Sequence, residues 1–133
     1  MPKYPYFIPS DKIYKPWIKV SLGYRKTHKI TPAVIVALVD SGADVCFCSK
    51  DIGIWLGIQF SKKSSTTFTA ANRSSFKAVK ETITLYTGER NYECPFYFSD
   101  TLPHETPIIL GQLGFFDHFK ITFDLQNKEI EII

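Results

Sequence analysis

The sequence predicts an all-β domain with one or two short helices, on three observations. Apolar and polar residues alternate with a period of two along several strand-length segments. Clusters of Gly, Asn, Ser and Lys punctuate these segments at the spacing of turns. A β-branched run, Ile30–Val39, has the length and composition of a buried strand.

Each element follows in order. Residues 13–24 (IYKPWIKVSLGY) alternate as a strand, and Pro16 predicts an edge position, because proline donates no ladder hydrogen bond. After the polar turn Arg25–Lys29, residues 30–39 read as one buried strand. A short helix is expected next. Ser49 or Lys50-Asp51 would cap it, Ile52, Trp55 and Leu56 recur at helical spacing, and Gly57 would end it. Residues 61–67 (SKKSSTT) read as a solvated, mobile loop. Two hairpins are expected, one turning at Ala71-Asn72-Arg73-Ser74 and one at Thr87–Asn91. Residues 107–110 (PIIL) form a further buried strand, and Gly111–Phe119 a short helix with Phe115, Phe116 and Phe119 inward. The tail ITFDLQNKEIEII closes as a hairpin around Gln126-Asn127-Lys128.

Composition narrows the function classes. With 133 residues, 44% apolar, the chain fits one domain spanning 1–133, with residues 1–12 expected as a loose arm. A net charge of +3 without basic clustering argues against nucleic acid as a partner. The aliphatic run Ala33–Val39 is far short of the ~20 residues of a membrane span, so no membrane is expected. The N-terminus lacks the apolar segment of a secretory signal. Three cysteines make neither a disulfide framework nor a zinc motif, and the histidines His28, His104 and His118 are dispersed. These features predict a cytoplasmic protein with reduced thiols and no metal or other cofactor.

The segment with chemistry in it is Ala37-Leu38-Val39-Asp40-Ser41-Gly42-Ala43-Asp44. A carboxylate at the mouth of an apolar strand is costly unless hydrogen-bonded or functional. Ser41 supplies a hydroxyl beside it, and Gly42 allows a tight turn and a close backbone approach. Far downstream, Pro107-Ile108-Ile109-Leu110-Gly111 places an apolar strand and a glycine where they can back such a loop.

The two segments, with a hairpin between them, resemble the retropepsin-like (retroviral-type) aspartic proteases. That family shows apolar-apolar-Asp-Ser/Thr-Gly-Ala-Asp, then a flap hairpin, then apolar-apolar-Gly. The tail Phe116–Asp124 is similar to its cellular and bacterial members, and the resemblance runs over roughly residues 15–133. It implies a single-lobed closed β-barrel acting as an aspartic endopeptidase. Asp40 would be catalytic, with Ser41 bracing the active-site loop across a homodimer. Gly42, Ala43 and Asp44 would meet an extended polypeptide substrate. Phe47, Pro107 and Ile109 would wall apolar pockets, Ala71, Asn72 and Arg73 would sit on the flap, and Ile109, Leu110 and Gly111 would support the catalytic loop.

The chemistry requires two carboxylates sharing a proton. Among the other aspartates, Asp11, Asp44, Asp51, Asp100, Asp117 and Asp124, only Asp51-Ile52-Gly53 has the motif's spacing, and there a helix start is the better reading. The second carboxylate is therefore expected from a second copy of the chain. Two departures stand out: Gln112-Leu113 replaces the Arg-Asp or Arg-Asn usual in viral members, and the flap has no glycines. Both favour an alternative, a weak or inactive dimer of the same fold serving as a peptide-binding or assembly module.

Overall fold

The computed structural model describes residues 3–6, 15–70, 72–88 and 90–133. Strand β1 (Lys3–Pro5) precedes β2 (Trp17–Tyr24), β3 (Lys29–Ile30), β4 (Ile35–Val39) and β5 (Cys46–Ser49). Helix α1 (Lys50–Trp55) leads to β6 (Thr66–Thr69), the long β7 (Ser75–Thr87) and β8 (Arg90–Ser99). The chain ends with β9 (Ile108–Leu110), β10 (Ile121–Asp124) and β11 (Glu129–Ile132).

Strands β2, β4, β9, β5, β8 and β7 pair in that order, and β2 pairs back onto β7, so six strands close a barrel. Closure removes the barrel's own edges. Two of its pairings, β4 with β9 and β5 with β8, are parallel; the rest are antiparallel. Inward residues of alternating strands fill the barrel: Leu22, Ile83, Leu85, Phe96, Ile108 and Leu110 are fully buried. A separate sheet orders β1, β11 and β10, with Lys3 opposite Glu131. Lys3–Pro5 is thus a paired strand, and the loose-arm expectation does not hold for those residues; residues 7–12 lie outside the described ones.

Four local expectations are corrected. Strand β2 is internal, flanked by β4 and β7, because Pro16 sits just before it and contributes only its carbonyl, to Val39 N–H (3.0 Å). The 30–39 run is broken: Thr31 still bonds Leu22, but Pro32 lacks a donor and the ladder resumes at Ile35. Residues 61–67 are not simply loop. A 3-10 turn spans Phe60–Lys62, β6 begins at Thr66, and Lys63 is tied to Glu81 at 2.7 Å. Tyr24 also donates to Glu81, and burial with that bond pushes the phenol up to about 12.

The fourth correction concerns Gly111–Phe119, which forms consecutive turns rather than a helix. Gly114 adopts φ +112°, outside helical space, and its N–H goes to Asp117 Oδ1 (3.0 Å). The apolar role survives: Phe115 is fully buried and Phe116 and Phe119 pack against it. Helix α1 forms where expected, with Ser49 at the N-cap position but without a side-chain cap bond. Gly57 follows at φ +92° and ends the turn. Of its apolar face, Leu56 is buried and Ile52 half-buried, while Trp55 points outward at 46% exposure. No helix among the described residues is long and apolar enough to cross a membrane.

Candidate active site

Asp40 is the first residue beyond β4, and its backbone N–H still bonds Leu110 of the neighbouring β9 (3.0 Å). The ladder thus carries the chain to the barrel mouth and releases it there. The loop then folds on itself: Ala43 N–H returns to Asp40 O (3.2 Å), and Gly42 N–H donates to Asp40 Oδ1 (2.9 Å). Asp40 is half-buried with one carboxylate oxygen fixed by backbone, while Ser41, Gly42 and Asp44 are exposed.

A second strand of chain clamps the loop from below. Gln112 N–H donates to Ala43 O (2.8 Å) and Leu113 N–H to Asp44 O (2.9 Å). A Cβ on Gly111 would collide with the carbonyl oxygens of Val45 and Ala43, neither of which can move without breaking this clamp. Gly111 is there because nothing larger fits. Gln112 Nε2 reaches across to Ser41 O (2.6 Å), a neutral brace between the two segments. Beneath, Gly111 N–H meets Cys46 Sγ (3.4 Å), and Cys94 Sγ contacts Gly114 O (3.3 Å). A hydrogen bond between the two thiols pushes Cys94 far up, with burial adding to the rise, and pulls Cys46 down against the opposing effect of its own burial. All three cysteines are buried and unbridged.

These distances define a loop built for a positioned carboxylate, and the fold around it has known counterparts. No family profile matches the chain, and no curated protein sequence does. The crystal structure of a retropepsin-like aspartic protease from Rickettsia conorii aligns over 100% of this chain and 99% of its own, with TM-score 0.65 and 18% identity. The fold is retropepsin-like.

Two further structures agree. The retroviral protease-like domain of Ddi1 from Leishmania major covers 92% of this chain and 96% of its own, at TM-score 0.56 and 14% identity. EIAV protease complexed with the inhibitor HBY-793 covers 73% and 81%, at TM-score 0.52 and 16% identity.

On the retropepsin-like framework the expected site residues fall into three groups. Asp40, Ser41, Gly42, Ala43 and Asp44 form the clamped loop, with Leu110 and Gly111 backing it. Phe47 and Ile109 are register partners on β5 and β9, and Pro107, just before β9, accepts from Ser49 N–H (2.8 Å). Asn72 and Arg73 lie at the tip of the β6–β7 hairpin, where hydrogen bonds run within the hairpin: Arg73 N–H to Ala70 O, and Ser74 N–H and Oγ to Asn72 Oδ1. Ala71 lies outside the described residues.

Sequence reading missed what holds that hairpin. Phe47 is buried beneath it, with its ring 5.1 Å from Phe68, 5.6 Å from Phe76 and 6.3 Å from Tyr97. Phe68 and Phe76 face each other across the hairpin, and Phe68 also meets Tyr97 edge-on at 5.1 Å. The signal was available: Phe68 and Phe76 are equidistant from the 71–73 turn, which puts them on one face of any hairpin turning there. The Gln112 brace had no such signal.

Proposed function

We propose that the chain is one half of an aspartic endopeptidase, completed by a second copy. The observation that carries this reading is the Asp40 loop itself, in which Gly42 N–H holds Oδ1 and leaves Oδ2 for water and a partner carboxylate. Two Asp40 side chains brought together across a twofold axis cannot both ionise cheaply, so they share one proton. The ionised member takes a proton from a water, which attacks the scissile carbonyl carbon. The protonated member donates to the carbonyl oxygen. Collapse of the tetrahedral intermediate passes a proton to the leaving amine and regenerates the pair.

The remaining roles follow from position. Ser41, exposed beside Asp40, bonds across the dimer, and its carbonyl is already held by Gln112. The Gly42 carbonyl and the Asp44 carboxylate bind substrate backbone, with Ala43 as floor. Pro107 and Ile109, with Phe47 behind them, wall apolar pockets for bulky side chains of an extended peptide. The β6–β7 hairpin is the flap that excludes water, carrying Ala71, Asn72 and Arg73 at its tip. Three unbridged thiols support a reducing, cytoplasmic setting.

Incubation of wild type and Asp40→Asn with a mixed peptide library between about pH 4 and about pH 7, read by mass spectrometry, tests the reading. Wild type should cleave between bulky apolar residues, and Asp40→Asn should lose at least about a thousandfold. Absence of wild-type cleavage with retained peptide binding would establish the inactive peptide-binding module instead.

A further inference from the structure

Strand β4 delivers Asp40 at one end of the barrel, and the Thr31–Val34 turn begins it at the other, ~16 Å away along the strand. The C-terminal end of α1 meets this turn. Lys29 Nζ donates to Trp55 O (3.2 Å) and lies 5.5 Å over the indole. Between turn and helix runs a groove of about 300 Å³ lined by Pro32, Ala33, Ile35, Ile52 and Trp55, with Thr31 as its one hydroxyl. Its sequence neighbours Val34 (60% exposed), Ile54 and Ile30 are also open to solvent. Clustered exposed apolar side chains of this size mark an interaction site rather than ordinary surface.

Charge says what would occupy it. Two hollows lie beside Trp55, one lined by Lys29, which covers the indole, and one lined by Gly57 and Thr27, the latter bonded to Leu56 O (2.6 Å). One contains Arg25, His28 and Lys29; the other contains Lys26, Lys62 and Lys63. No carboxylate lines any of the three cavities. Glu93 stands 3.8 Å from Arg25, and Glu81 is held by Lys63. No described carboxylate comes within ion-pair distance of Lys26, Lys29 or Lys62. The opposite end carries Asp40 and Asp44, so an acidic ligand is drawn to this face and not to that one.

We propose that this face is a docking surface for an acidic peptide segment bearing a bulky apolar side chain. The apolar residue enters the Trp55 groove, and flanking carboxylates meet Lys26, Lys29 and Lys62. The groove is of side-chain size and is flanked by discrete cations, which suits one apolar anchor with acidic neighbours. The proposal does not depend on the protease reading.

Fluorescence anisotropy with a labelled peptide of Asp and Glu flanking a Phe-Leu pair tests it. Trp55 emission gives a second readout, since the other tryptophan, Trp17, is buried. Saturable binding is expected, weakened about tenfold by Trp55→Ser and again by the exposed double variant Lys26→Glu/Lys62→Glu, and falling as salt rises. A peptide with Lys and Arg in place of the acids should not bind. Equal binding of that basic peptide, no saturation, or an unaltered affinity in both variants would overturn the proposal. So would Trp55-dependent partition onto phosphatidylserine vesicles without peptide binding, which would make the face a lipid contact.

Discussion

Between β4 and β5 the chain is held by backbone: five main-chain N–H groups, of Asp40, Gly42, Ala43, Gln112 and Leu113, each find an acceptor within 3.2 Å. Between β6 and β7 it is held by rings: Phe68 and Phe76 stack across the hairpin, and Phe47 and Tyr97 meet them edge-on or tilted. Hydrogen bonds are directional and fix a side chain to within tenths of an ångström. Ring contacts have preferred geometries but accept a wider range, here from 21° to 81° between planes, and so hold a hairpin less rigidly. On the proposed function, a carboxylate that must meet a water and a partner needs the first kind of support, and a cover that must open for a peptide the second.

The contrast breaks most severely at Gly111. Gly111→Ala drives a methyl into the Ala43 and Val45 carbonyls, so the clamp must open. A loss of about 3 kcal/mol or more in urea unfolding is expected, together with loss of cleavage. Phe68→Ala acts on the other region. It removes a half-buried ring with three aromatic neighbours, at a cost of about 1–2 kcal/mol. Amide exchange should rise in residues 66–78 and stay unchanged in 40–45. Exchange rising equally in both segments would mean that the two regions are not separately supported.

Gln112→Ala is the smallest perturbation. It deletes one exposed side-chain bond, so stability should move by about 0.5 kcal/mol or less. Its effect belongs in kcat, lowered severalfold at unchanged KM, because the bond positions a loop rather than contacting substrate. A shift in KM alone would place Gln112 in substrate binding.

How much of this was legible in the sequence follows the same division. The Asp40 loop could be read because its support is composition-specific: only glycine fits at 111, and an acid, a hydroxyl and a glycine in succession are a costly end to a buried strand. The strands could be read where alternation persisted, as in β7 and β8. The helix expected over Gly111–Phe119 failed because aromatic spacing reports which residues face inward, and turns bent at Gly114 bury the same rings. Pro16 misleads because a proline next to a strand reads like one within it. The Gln112 brace and the outward turn of Trp55 depend on segments distant in sequence, and no local pattern encodes either.

The central claim is that one chain holds half a site, and mixing tests it most directly. Wild type and Asp40→Asn are allowed to exchange subunits at equal concentration and constant total protein. If both Asp40 side chains are needed, only wild-type pairs cleave, and activity falls to about a quarter of that of pure wild type. Retention of about half the activity would contradict the account, because each chain would then be working alone.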